Sequence, residues 1–391
     1  RLDHGDPAPA GPDEDLDLPD PTATTVDETL PRDEQGGGHI AAAGRPKPRP
    51  FDPSKFRPGR PVDADGDGFV YDGTIRQRPA LPPLPSGPLS LATARSLGLR
   101  DHQWRLPQLV RTTQSVRSVS EPTNARERAH AFRAALPPDV IFSHVTAAQL
   151  WGLPLPLALQ NQVELDVMRA SDRGRIERRG CISHRGGERR TSTTVHGIPV
   201  TSLVDTWVDL GEVVGRGLDR DDLVVAGDVV ATRTSRVPPG SPLADAVAPL
   251  ASALAARVRP RNKALLTSSL ELVRPGVRSP MESRSRLVFV DAGFPEPEVN
   301  GHVHTADGGW LAECDLLWRA QRVAGEYQGA VHAGIRARSR DAYRNGLLAD
   351  EGWLVLEIFA EDHTDPYRKT LLLNRFARAL DLDPATLRIP G

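Results

Sequence analysis

The stretch Leu311–His332, LAECDLLWRAQRVAGEYQGAVH, decides how the C-terminal third of this chain is read. Apolar residues bracket LAECDLLW and VAGEY, and an Arg- and Gln-rich turn separates them; the pattern is that of two short strands paired as a hairpin. Asp315 lies in the first strand and Glu326 eleven residues on, in the second. Strand residues two apart share a face, so Glu326 and Gln328 project together, and hairpin pairing brings Asp315 beside them. Two carboxylates and a polar group on one face suit a hard divalent cation, Mg²⁺ or Mn²⁺. Glu282, in SPMESRSRL on an expected helix, offers a third oxygen ligand, and His332 follows four residues after Gln328.

Working outward, the segment around this hairpin reads as an α/β domain over residues 266–391. A helix with Glu282 leads into a mixed sheet with strands near Val299–Thr305, Trp310–Leu317, Arg322–Tyr327 and Trp353–Phe359. Helices at Ser339–Glu351 and Tyr367–Leu380 flank it, and this segment is expected to fold on its own. Asp341 and Arg344 share a helix face at their spacing. With Arg338 and Arg340, Arg344 is a candidate phosphate contact. Trp310 and Trp318 flank Asp315 and are expected to pack near the site.

Residues 91–235 read as an α+β domain, followed by a linker over 236–265. In it, ARERAHAFRAAL is helical by composition, and VIFSHVTAAQLWGLPLP runs from a strand through Ser143, a helix cap, into an apolar-faced helix. NQVELDVMRA and CISHRGG are strand-like. Arg169, Arg173, Arg175, Arg178 and Arg179, continued by Arg185, Arg189 and Arg190, crowd one hairpin and loop. Such a cluster contacts nucleic-acid phosphates or forms a solvated face tempered by Asp172, Glu177 and Glu188. Ser143-His144 reads as structural because no acidic partner is evident. His184 and His196 lack metal-ligand spacing and read as ordinary polar positions.

Residues 1–90 read as a disordered leader. They hold nearly half of the 36 prolines, an acidic tract that includes Asp13, Glu14 and Asp15, and then the basic run GRPKPRPFDPSKFRPGRP. Such a segment buries too little apolar surface to offset its ordering entropy. Within it, DADGDGFVYDGT (Asp63–Thr74) places Asp63, Asp65, Asp67 and Gly68 as in the first half of a calcium loop. Thr74 stands where a bidentate Glu belongs, so any Ca²⁺ binding is expected to be weak.

The whole chain of 391 residues carries a net charge of −2. It therefore has no global basic signature, and nucleic-acid contact would rest on local clusters. Two cysteines, Cys181 and Cys314, are too few and too far apart for a disulfide framework or a zinc site. A reducing, cytoplasmic setting is expected. No apolar run approaches the roughly 18 residues of a membrane span, and no signal peptide is evident, so no membrane partner is expected. The chain starts with Arg rather than Met, as a processed or partial product would.

Taken in order, Glu282, the AGFPEPEV turn, Asp315, the EYQG stretch, His332, Asp341 with Arg344, and the GWLVLEIFAED strand resemble the PD-(D/E)xK nuclease superfamily. The resemblance is to its branch near very-short-patch-repair endonucleases, and it covers roughly Ser279–Leu380. It implies a restriction-endonuclease-like fold and a metal-dependent DNA endonuclease. Asp315 and Glu326 would hold Mg²⁺ (or Mn²⁺), Glu282 would assist, and His332 would act as general base. Gln328 stands where the family usually has Lys, a departure that puts cleavage in doubt. The motifs FSHVTAAQLWGLPLP and GIPVTSLVDTWVDLG are similar to the regulator half of abortive-infection toxin–antitoxin systems. That implies an alternative, a DNA-binding regulator or antitoxin whose nuclease fold is inactive. The leader's DADGDGFVYDGT string is similar to segments of actinobacterial phage structural proteins, which implies a third class, a virion-associated effector with phage proteins as partners. Phage defence, repair and mobile-element conflict are the settings expected for a nuclease of this kind. Whether the chain forms a homodimer stays open.

Overall fold

In the computed structural model of the protein, residues 68–71, 74–77, 83–84, 87–235, 242–329 and 335–389 are described, with 68–77 and 335–341 represented by their backbone alone. Contacts divide the chain into residues 1–76 and 77–391. In the first unit, strands β1 (Gly68–Tyr71) and β2 (Thr74–Gln77) pair as a two-stranded sheet. Asp63, Asp65 and Asp67, and with them the acidic half of the expected calcium loop and most of the expected leader, lie outside the described residues.

The second unit opens with β3 (Leu89–Ser90), α1 (Leu91–Ser96), α2 (Asp101–Trp104), β4 (Val110–Thr113) and β5 (Val116–Ser118). The three strands form a small antiparallel sheet in the order β3-β5-β4. Next come α3 (Ala125–Arg133), β6 (Ile141–Phe142), α4 (His144–Leu150), α5 (Leu157–Gln160), β7 (Leu165–Arg169), β8 (Cys181–Arg185), β9 (Ser192–Val195) and β10 (Ile198–Thr201). Five of these elements build a mixed sheet in the order β8-β7-β6-β10-β9, whose apolar face (Phe142, Val167, Ile198, Val200) packs on α3 and α4 through Ala129, Phe132 and Ala147.

A helical layer follows: α6 (Leu203–Leu210), α7 (Arg220–Thr234), α8 (Leu243–Ala255) and α9 (Lys263–Leu272). The starts of α6 and α7 have a chemical cause. Ser202 caps α6 by accepting from the Asp205 amide, and Asp219 and Asp222 exchange a reciprocal capping box at α7. The expected linker 236–265 is corrected here, because α8 occupies its centre. Ala246, Leu250 and Leu254 recur every four residues, which gives α8 one apolar face, and they are buried. That face joins a core containing Trp207, Leu223, Leu266 and Val273, so side chains from both sides of residue 266 share one interior.

The C-terminal part is a mixed sheet flanked by helices. It comprises α10 (Pro280–Ala292), β11 (Glu298–His304), β12 (Trp310–Trp318), β13 (Val323–Gln328), α11 (Ile335–Asp350), β14 (Leu354–Phe359), α12 (Glu361–Thr364) and α13 (Pro366–Ala379). Strand order is β11-β12-β13-β14; the first two pairings are antiparallel and β13 with β14 is parallel. One face packs on α10 and α13 through Phe289, Trp318, Ile358 and Phe376. The other meets Leu348 of α11 through Ala312, Cys314, Leu317 and Ala324. Strict alternation would put Leu317 opposite Cys314, so β12 changes face between them. Asn300, with a left-handed φ of 50°, marks the break: Val299 pairs with Leu316 and Gly301 with Cys314, and no pair is formed between them. Among the described residues, no helix is long and apolar enough to cross a membrane.

The helical layer and the C-terminal sheet are also tied by charge. Asp228 of α7 is fully buried, and its carboxylate accepts from the Arg274 amide at 2.7 Å, Ser283 Oγ at 2.7 Å and Arg286 Nη2 at 3.3 Å. Arg286, on α10, is equally buried.

Candidate active site

Three elements deliver the carboxylates. Ser279 caps α10, Pro280 fills its first turn, and Gly293 ends it with a φ of 90°. This puts Glu282 at the third helical position, buried, where its Oε2 accepts from the Arg278 amide at 2.9 Å and from Asn300 Nδ2 at 2.8 Å. The left-handed residue that breaks β11 therefore also fixes the helix acid. Strand β12 supplies Asp315. The ladder to β13 ends at Leu316 with Gly325, and beyond it the Tyr327 amide donates to Asp315 Oδ2 at 2.8 Å. Strand β13 supplies Glu326, whose Oε2 lies 3.0 Å from Arg344 Nη2 on α11.

Burial pushes both the Asp315 and Glu326 carboxyls above the ordinary carboxylate range. The charges of Glu282 and Glu313 add to the rise at Asp315, and that of Asp315 adds to the rise at Glu326, while Arg344 pulls both back. Burial, then the neighbouring Glu326, pushes the Cys314 thiol up to about 12, so it stays protonated. Glu326 Oε1 is buried without a hydrogen-bond partner. An orphaned anionic oxygen among mutually repelling acids fits a hard divalent cation, because a buried carboxylate without a partner is costly. Asp315 and Glu326 would hold such an ion, with Glu282 contributing through its less committed Oε1. Glu282, Asp315 and Glu326 do not bring three ligand atoms within 4.8 Å of one another. Among the described residues, the trio whose ligand atoms lie within 4.8 Å of one another is His144, His184 and Glu212.

The other expected residues fall as follows. Gln328 is half-buried and turns its amide toward Glu357, with Nε2 3.5 Å from Oε1. His332 and the side chains of Arg338, Arg340 and Asp341 lie outside what is described. Arg344 was expected to face phosphate, with Asp341 on its side of the helix; it instead meets Glu326 and the Glu313 carbonyl, the latter at 3.3 Å. Trp310 and Trp318 do not both line the site. Trp310 is 64% exposed, whereas Trp318 stacks edge-on with Phe289 at 5.1 Å and donates from Nε1 to the Pro295 carbonyl.

The Arg169–Arg190 cluster divides in two. Arg169 is bonded to Asp139 at 2.8 and 3.0 Å. Arg178 clips three segments together through the Gln114 carbonyl, the Ala135 carbonyl and Thr113 Oγ1. Arg190 pairs with Asp209 at 2.8 Å. These three hold the fold, and Arg173, Arg175, Arg179, Arg185 and Arg189 are the exposed members. Ser143 does not cap α4 with its side chain; its Oγ bonds His144 Nδ1 at 2.9 Å. The acidic partner that sequence reading missed is Glu212, 3.8 Å from His144 Nε2. The nearby His144 ring leads the causes that hold the Glu212 carboxyl down at about 2.

No family model matches the chain. It is 38% identical over 105 residues to an uncharacterized protein of Mycobacterium tuberculosis strain CDC 1551 / Oshkosh, and equally to one of strain ATCC 25618 / H37Rv. The match takes in 26% of this chain and spans 37% of the length of each relative.

Proposed function

We propose that this protein is a metal-dependent DNA endonuclease with a restriction-endonuclease-like C-terminal sheet. The observation that carries the reading is the neighbouring of Asp315 and Glu326 just beyond the β12–β13 ladder, with Glu326 Oε1 buried and unpartnered. A bound Mg²⁺ or Mn²⁺ would supply charge stabilisation at the scissile phosphate and a more acidic water. The chain's own residues contribute position and charge. The Tyr327 amide orients Asp315, and the Arg278 amide and Asn300 fix Glu282. Arg344, 3.0 Å from Glu326 Oε2, pulls that carboxyl back toward the ordinary carboxylate range. Gln328 can orient a water by hydrogen bonding but supplies neither a base nor a cation, so His332 is the residue assigned to general-base chemistry.

Incubation of supercoiled plasmid with purified protein and Mg²⁺ or Mn²⁺ tests this, with Asp315→Ala and Glu326→Gln as controls. Nicking or linearisation by the parent alone is the expected result. Equal cleavage by all three proteins would remove these carboxylates from the active site.

A second reading, a DNA-binding regulator with a silent nuclease sheet, is favoured by Gln328 and by the occupation of Glu326 Oε2 by Arg344. Cavity-lining arginines support it as well: Arg95, Arg105, Arg111 and Arg117 surround a hollow beside β3–β5, where Arg117 lies 5.7 Å from the Trp104 ring centre. Retention of DNA by parent protein that never cleaves would select this reading.

A further inference from the structure

We propose that His144, His184 and Glu212 form a second cation site, distinct from the carboxylate pair, that takes a borderline-soft transition metal of the Zn²⁺ class. The three side chains come from separate parts of the fold: His144 opens α4, His184 lies on β8, and Glu212 follows the C-terminus of α6. Their ligand atoms all fall within 4.8 Å of one another.

The arrangement of the two imidazoles is what singles out a metal. Each ring has one nitrogen engaged by a neighbour and the other left over. His144 Nδ1 bonds Ser143 Oγ at 2.9 Å, while its Nε2 is buried with no hydrogen-bond partner, in a residue only 1% exposed. His184 Nε2 donates to Asp166 Oδ1 at 2.8 Å, and Asp166 Oδ2 accepts in turn from Gln162 at 2.9 Å. A ring that donates from Nε2 keeps its lone pair on Nδ1. A carboxylate or hydroxyl behind each histidine, with the opposite nitrogen open, is the outer-shell pattern that orients metal-ligating histidines.

His144 opens α4 with a left-handed φ of 48°, a region that histidine enters more readily than most side chains. The nearest cation, Arg190, does not close the site. Its Nη2 is 4.0 Å from Glu212 Oε1 but 2.8 Å from Asp209, which leaves Glu212 Oε2 turned to His144 at 3.8 Å. The rings stack with centres 3.6 Å apart and planes 19° from parallel. Metal binding therefore requires one ring to turn about its Cβ–Cγ bond so that both lone pairs converge. Two imidazoles and one carboxylate favour Zn²⁺, Co²⁺ or Ni²⁺ over Mg²⁺ or Ca²⁺, which select oxygen, and zinc sites use this donor set with water in the fourth position.

The test uses the full chain without a histidine tag, stripped with chelator and kept in excess Mg²⁺ to fill the carboxylate pair. Titration with Co²⁺ should give the visible bands of four-coordinate cobalt at one ion per chain, abolished by competing Zn²⁺. His184→Gln and Glu212→Gln should each remove the bands. Asp166→Asn should weaken binding by roughly 10–100-fold, and Asp315→Asn should leave the bands unchanged. Glu212 is about one-third exposed, so its Gln variant should keep the parent's circular dichroism and melt cooperatively, which separates metal loss from unfolding. The proposal is overturned by an absence of bands in the parent, by bands that survive both ligand substitutions, or by bands lost only with Asp315→Asn.

Discussion

The guanidinium of Arg344 stands 3.0 Å from Glu326 Oε2, so this cation and a divalent ion on the open Oε1 would share one carboxylate. Arg344 and the ion would thus repel each other across it. Arg344→Ala should tighten Mg²⁺ or Mn²⁺ binding in a calorimetric titration and, without metal, destabilise the protein by roughly 1–3 kcal/mol, the cost of leaving a buried acceptor unmet. Unchanged metal affinity would show that the ion does not sit on Glu326.

Gln328 already leans toward Glu357 across the parallel pair β13–β14. Gln328→Lys should keep or raise any cleavage rate, because it places an ammonium group where the resembling nucleases have one. A loss of activity with metal affinity intact would mean that the new cation pairs with Glu357 and turns away from the site.

His363 gives a pH dependence. Burial, then the charges of Lys369 and Arg284, depress its pKa against the opposing pull of Asp362, and it bonds Ser285 Oγ at 3.1 Å. The folded state therefore prefers the neutral ring. Its stabilising contribution is complete above the unfolded value of about 6.5 and is lost as the pH falls through the lower folded value. Urea midpoints of the parent should drop over that window, and His363→Gln should flatten the drop. A slope that the substitution leaves unchanged would assign the effect to another group.

Arg286→Met should cost about 3–5 kcal/mol, because Asp228 would be left as an uncompensated buried charge, and Asp228→Asn with Arg286→Met should recover part of that loss. Chemical denaturation of the two single variants and the double variant reads the coupling. Strict additivity would mean that the 3.3 Å contact carries no interaction.

Gly227 lies on α7 against Trp207 and Val273; an added Cβ would come within 2.5 Å of Val273 Cγ2 and 3.0 Å of Trp207 Nε1. Gly227→Ala should therefore lower stability by about 1–3 kcal/mol through overpacking, despite the better helix propensity of alanine. A thermal melt equal to the parent's would show that the side chains yield.

Local pattern made the C-terminal sheet legible. Alternation and turn chemistry located strands within a residue or two of Trp310–Trp318 and Val323–Gln328. They also brought Asp315 beside Glu326, since hairpin neighbours are fixed by short-range pairing. What escaped was long-range or double use of a residue. Ser279 and Glu282 have the spacing of a helix-start motif, and the acid's bond to the Arg278 amide serves the helix as well as any ion. Asn300 shows its left-handed turn only once β11 and β12 are paired. His144, His184 and Glu212 are scattered along the sequence and meet only through the mixed sheet. Arg169 and Arg178 looked like spare charge because Asp139, Gln114 and Ala135 are remote from them in sequence.

The interior shared across residue 266 bears on how such a chain can be recombined. Leu266 and Val273 pack among Trp207, Leu223 and Leu254, and Arg286 answers Asp228. A genetic crossover at the start of α9 would hand the recipient a sheet whose buried guanidinium meets a foreign helix, and would leave the donor with an open apolar trough. Exchange points that keep this interior whole therefore lie in the loops outside α6–α10.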